Sequence, residues 1–188
     1  MTTKLSIDLK EFLDKTSTKE FLSAARQFVD ILEIKTIDQE EFYRQVHRAL
    51  AELYAAGHKL EWIELKYSDA EKNYDNDEVV NKNENKISEL GGEAFYWEIF
   101  DPSYTTDDKE ATQGWLVDDF GDIYNDLKTD LDKLDNHGTD EFVEDALWQM
   151  KWGYYHHWGN HCINALRALH FLWYDGKLKN ESTVPNNR

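Results

Sequence analysis

Apolar residues recur at three- and four-residue intervals through most of the chain, the spacing that lays them along one side of an α-helix. Leu9, Phe12 and Leu13 predict a short leading helix within residues 1–16. Ser17-Thr18-Lys19-Glu20 has the spacing of a capping box, and Phe21, Leu22, Ala25, Phe28, Val29 and Leu32 carry a helix from it to Glu33. A second start signal, Asp38 with Glu41 three residues on, precedes Phe42, Val46, Ala49, Leu50 and Leu53, with Gly57 as the expected stop. The short link at residues 34–37 folds these two helices into an antiparallel pair. Later, Asp107-x-x-Glu110 is expected to open a helix running to about Leu134, with Leu116, Phe120, Ile123, Tyr124, Leu127 and Leu131 on its apolar face. Asp135-Asn136-His137-Gly138 then breaks the chain.

The densest pattern lies in residues 139–176, expected as one uninterrupted helix about 50 Å long. No proline interrupts it, Thr139 is a plausible N-cap followed by two acids, and Gly176 is a stop. Trp148, Trp152, Tyr155, Gly159, Cys162, Leu166 and Trp173 share one broad apolar side. Val143, Ala146, Met150, His157, His161, Asn164, Ala168 and Leu172 lie opposite, and a narrow stripe through Gln149, His156, Asn160, Arg167 and Tyr174 is left for water. A helix apolar on two sides belongs at the centre of a fold. Gly153 and Gly159 each cost about 1 kcal/mol against alanine, which makes sense where other helices cross closely.

Between the helices the pattern fades. Residues 58–67 are apolar but too short to type, and residues 68–85 are rich in asparagine and acids, an exposed loop. Phe95, Tyr96, Trp97, Ile99 and Phe100 are dense enough to be interior, ahead of an Asp101-Pro102 turn. The tail at 180–188 reads as frayed. With alternating strand patterns absent, the expected class is all-α: one domain, a bundle of five or six helices around the long C-terminal one.

Composition narrows the function classes. Charged residues make up 31% of the 188, but aromatics at 14% supply enough ring surface to offset ordering entropy, so the chain folds. A net charge of −17 repels a phosphate backbone and argues against nucleic-acid binding. It suits a basic protein partner, or solubility alone. The sequence has neither an apolar run of membrane-spanning length nor a signal-peptide pattern, so a cytoplasmic, soluble protein is expected. The single cysteine, Cys162, excludes an internal disulfide and is expected to be a buried, inert thiol.

Two constellations could carry chemistry. His157 and His161 sit four apart, the helical spacing that lets two imidazoles reach one metal ion, although the glutamate of zinc-protease helices is missing between them. Histidines satisfied within the core are the plainer reading. On the preceding helix Asp119, Asp122, Asp126 and Asp130 form a stripe with Trp115 at its head, a spacing that can present a hard cation such as Mg²⁺ or Mn²⁺. A stripe opposite the apolar face is expected to be simply solvated. Gly121 suggests a close helix crossing there, which could turn Asp118 or Asp122 toward the histidines. The candidate metal ligands are therefore His157, His161, Asp118, Asp119 and Asp122, for a divalent ion such as Zn²⁺ or Mn²⁺. His156 and His170 point to other faces. Phosphate loops, serine elbows and Cys-x-x-Cys pairs are absent.

DDFGDIYNDLKTDL, followed by HHWGNHCINALRALH and preceded by FYWEIFDP, resembles an uncharacterised bacterial family, domain of unknown function five-zero-six-three, over roughly residues 94–173. The resemblance implies a compact helical fold and carries no established activity. Two functions of different class follow from the residues. The favoured one is a non-enzymatic, immunity-like binding protein whose acidic surface docks a basic partner. The alternative is a metal-dependent hydrolase, acting on a phosphorylated small molecule, built from Asp118, Asp119, Asp122, His157 and His161.

Overall fold

The computed structural model describes residues 5–34, 38–69, 94–99 and 110–174. Among them, α1 (Ile7–Asp14), α2 (Thr16–Glu33) and α3 (Gln39–Lys59) precede a two-stranded antiparallel sheet, β1 (Phe95–Glu98) and β2 (Thr112–Trp115). Then come α4 (Leu116–Asp132), α5 (Asp140–His156) and α6 (Trp158–Tyr174). Among the described residues the architecture is all-α, six helices with one small sheet. Residues 70–85 of the expected loop, Asp107, Gly176 and the tail at 180–188 lie outside the described residues.

A side-chain cap holds the start of α3, whereas the expected start of α2 and stop of α3 are not observed. The Asp38 carboxylate accepts the Glu40 and Glu41 backbone N–H groups at 3.0 and 3.3 Å, which satisfies two orphan donors of α3. By contrast α2 starts at Thr16, so Ser17 is already inside the helix and the capping box does not form. The Ser17 hydroxyl instead donates to Glu61. Gly57 does not stop α3, which continues to Lys59. It is a packing glycine: a Cβ there would meet the Trp158 ring at 2.6 Å and Tyr154 at 2.7 Å.

Residues 95–98 of the segment expected as interior form β1, while Phe100 and the Asp101-Pro102 turn lie outside the described residues. Phe95 pairs with Trp115, Tyr96 with Gly114, Trp97 with Gln113 and Glu98 with Thr112. Phe95, Trp97 and Ile99 are exposed, and Phe95 stacks on Trp115 across the strands at 5.6 Å. Aromatic cross-strand pairing stabilises such a hairpin without burying it. Pairing also claims residues 112–115, so α4 starts at Leu116. Its six expected core residues are all buried. Past Asp132 the chain widens into a π-helical turn, Lys133–His137, closed by Gly138 at φ 57°, a left-handed conformation suited to glycine. Lys133 is buried there between Asp130 at 3.1 Å and Asp145 at 2.8 Å.

The expected long helix is two helices of 17 residues each, broken at His157, whose φ and ψ are −144° and −93°. After the break the Trp158 indole folds back over Gly153 and donates from Nε1 to the Met150 carbonyl at 3.0 Å. Gly159 sits against the Tyr154 carbonyl, where a Cβ would collide with backbone. Gly153 and Gly159 thus permit the break itself rather than a crossing by other helices. The break also resets the helical phase, so the broad aromatic side splits in two. Cys162 is buried and Leu166 half-buried, whereas Trp152 (40% exposed) and Tyr155 (51%) face outward. Trp62 packs on Trp148 at 6.0 Å and lies parallel to Tyr155 at 5.9 Å, completing an aromatic outer face.

The core lies between α2, α3, α4 and α6, with α5 closing one side. Cys162 is the expected buried free thiol, donating to the Leu50 carbonyl at 3.3 Å, and burial pushes its pKa up. The extended stretch after α3 is tied down by Glu144, itself buried, whose carboxylate accepts the backbone N–H groups of Lys66, Tyr67 and Ser68.

Candidate metal centre

The packing of α4 against α6 sets the acidic stripe against the histidines. Asp119 and Asp130 are buried, and the side chains of Asp122 and Asp126 are about a third exposed, so the stripe is not the solvated face expected of it. The cause is the other helix. The apolar residues of α4 face α2 and the core, while its next stripe meets α6 and the break before it. Gly121 takes no part, since a Cβ there would meet nothing within 4 Å. The close crossing inferred from it is absent, although the register it suggested is present.

Asp122, His157 and His161 each offer one ligand atom, and these three atoms lie within 4.8 Å of one another. His157 does not stand on a helix beneath His161. It occupies the break, and the rings meet edge to face at 5.1 Å between centroids. Each imidazole is held from behind by a carboxylate of α4. His157 Nδ1 is 2.7 Å from Asp126 Oδ2, and His161 Nδ1 is 2.9 Å from Asp119 Oδ1. With Nδ1 so engaged, Nε2 of each ring is the nitrogen left to coordinate, and His161 Nε2 stands 3.3 Å from Asp122 Oδ2. A carboxylate behind a histidine fixes its tautomer and orientation and raises its basicity as a ligand.

The electrostatics agree with this division. The hydrogen bond that His161 donates to Asp119 raises the His161 pKa above its ordinary value against the opposing effect of burial, with Asp122 and Asp118 adding to the rise. Burial raises the carboxyls of Asp119 and Asp126, and their histidine partners pull them back down. Asp119 has a second partner, the Tyr96 hydroxyl, which donates to Oδ2 at 2.7 Å. The ring of Tyr96 crosses the sheet over Gly114, where a Cβ would strike it.

Of the five residues expected as ligands, three converge, Asp119 stands behind His161, and Asp118 is exposed outside the group. His156 is exposed and packs on Trp152 at 4.9 Å, away from the centre as expected. The backing role of Asp126 was visible only as membership of the stripe. Tyr96 had no sequence signal, because the strand pairing that aims it joins segments far apart in the chain.

The chain belongs to the family described as Domain of unknown function (DUF5063), whose model matches residues 13–175. It is similar over 93% of its length to the crystal structure of protein BF1032 from Bacteroides fragilis, of which it covers 99%, with a TM-score of 0.67 and 21% identity. That likeness is one of fold. No curated protein matches the chain. Among the described residues, no helix is long and apolar enough to cross a membrane.

Proposed function

We propose that this protein binds a divalent transition-metal ion through His157, His161 and Asp122 and uses it as a hydrolase. The observation that carries the reading is the convergence of those three ligand atoms, with both imidazoles backed by carboxylates. Two nitrogens and one carboxylate suit Zn²⁺, Mn²⁺ or Co²⁺ better than Mg²⁺ or Ca²⁺. Three protein ligands leave a coordination position open, the arrangement of catalytic rather than structural sites. A divalent ion held there would lower the pKa of a bound water toward neutrality and so would supply the nucleophile that hydrolysis needs. Asp126 and Asp119 would serve to orient the rings.

The test is metal-dependent stabilisation of chelator-treated protein. At one hundred times the dissociation constant a folded-state ligand contributes about 2.7 kcal/mol by mass action, a Tm rise of roughly 5–10 °C for a domain of this size. His161→Ala should abolish the rise, Asp122→Asn should reduce it, and His156→Ala should leave it intact. A rise below about 1 °C with Zn²⁺, Mn²⁺, Co²⁺ and Ni²⁺, or one that survives His161→Ala, would overturn the proposal.

One observation favours the binding-protein reading as well. The exposed aromatic face of Trp62, Trp152 and Tyr155 lies on a chain of net charge −17, and exposed ring faces on an acidic protein suit a cationic partner.

A further inference from the structure

We propose that Trp62, Trp148, Trp152 and Tyr155, with the cleft beside Trp62, form the docking surface for an arginine-bearing segment of a basic partner protein. The inference rests on the binding-protein reading above and is independent of the metal centre. The four rings make one chain of contacts across two elements. Trp148 and Trp152 lie one turn apart on α5 with centroids 6.4 Å apart, and Trp152 continues the chain to His156 at 4.9 Å. From the extended stretch after α3, Trp62 packs on Trp148 at 6.0 Å and runs parallel to Tyr155 at 5.9 Å. Trp62, Trp152 and Tyr155 are all exposed, and a contiguous exposed aromatic surface marks an interaction site.

The charges around these rings select the partner. Trp62 also lines a surface cleft of about 160 Å³ together with Asp8, Phe12, Lys15, Glu64 and Lys66. Both lysines of the cleft are already paired, Lys15 with Glu61 at 2.8 Å and Lys66 with Asp8 at 3.1 Å. Glu64 is exposed and makes no ion pair among the described residues. Of the helices on either side, α1 carries three acids to one lysine and α5 four acids to one lysine. The α5 lysine, Lys151, is buried, with its Nζ 4.9 Å from the centroid of the Tyr155 ring. The protein thus sets its own cation against the inner side of Tyr155 and leaves the outer side to solvent. An apolar partner would strip water from the carboxylates without pairing them. A second copy would bring a charge of −17 against −17. A guanidinium satisfies both features, because it stacks flat on aromatic rings and its fork of N–H donors matches a carboxylate.

The experiment titrates the full chain into a fluorescently labelled peptide of alternating arginine and glycine, and into its lysine counterpart, with anisotropy read at low salt. The arginine peptide should bind at least about threefold more tightly than the lysine peptide. Trp62→Ala and Trp152→Ala should each weaken arginine-peptide binding about two- to fivefold, the effect of one exposed cation–ring contact. Glu64→Gln should weaken it and flatten its salt dependence. Trp97→Ala, which removes an exposed ring from the hairpin, should leave it unchanged. If Trp97→Ala weakens binding as much as Trp62→Ala, or neither Trp62→Ala nor Trp152→Ala changes it, the peptide is held by diffuse charge. That result overturns this surface and leaves the binding-protein reading standing, as does equal affinity for the two peptides. A dimer in sedimentation that Trp152→Ala dissociates would make a second copy the occupant and overturn the proposal. No binding of either peptide would overturn both readings. If Trp62→Ala does not fold, Trp62→Leu decides, because it keeps apolar bulk without the ring face; unchanged affinity would refute the proposal.

Discussion

Trp158→Ala is the perturbation that most directly tests the break between α5 and α6. Trp158 is fully buried and heads the largest side chains of the core. Its ring lies 5.9 Å from Phe21 on α2 and 5.4 Å from Tyr154 on α5, and it fills the space left open by Gly57 on α3 and Gly153 on α5. Removing a buried tryptophan to Cβ costs about 3–5 kcal/mol, more where the walls cannot collapse. Here three separate helices form the walls, so the upper half of that range is expected, together with loss of the bond to the Met150 carbonyl. Against a total stability of about 5–15 kcal/mol, the Tm should fall by about 10–15 °C. Trp152→Ala is the matched control. That side chain is 40% exposed and packs on Trp148 and His156, contacts worth about 1 kcal/mol together. Urea unfolding followed by far-ultraviolet circular dichroism, with equal m-values, measures both. If Trp152→Ala costs as much as Trp158→Ala, residues 139–176 form one straight helix with Trp152 in the core, and the reasoning is refuted.

Two glycine substitutions should move in opposite directions. Gly159→Ala drives a Cβ into the Tyr154 carbonyl and should destabilise by about 2 kcal/mol or more. Gly121→Ala adds a methyl to open space in a helix interior and should stabilise by about 0.5–1 kcal/mol; both are read by thermal denaturation. For metal-free protein, the raised His161 pKa means the folded state holds that proton more tightly than the unfolded chain. The stabilisation is fully present below about pH 6.5 and lost as pH rises through the folded value, and His161→Gln should flatten that decline in a pH series of urea titrations. Metal affinity runs the other way, falling as pH drops through the same raised value, because an imidazolium cannot coordinate.

What periodicity alone determined was which residues of α2, α3 and α4 turn inward. The apolar stripe of α4, the α2–α3 pair, the Asp38 cap and the burial of Cys162 follow from spacing and local chemistry. Each depends on residues within a few positions of one another. The residues of the centre were legible as types, two histidines four apart and a run of aspartates, because few side chains can hold a metal. Their arrangement was decided by tertiary structure. Nothing in the local pattern breaks the helix at His157. The break exists because Trp158 gains a fully buried site between three helices, and that gain outweighs the one residue held outside helical geometry. It turns Trp152 outward, and it presents His157 from a bend rather than from a helical turn. The hairpin is the same kind of case: Tyr96 reaches Asp119 because β1 pairs with residues 112–115, a long-range contact that propensity and periodicity do not encode.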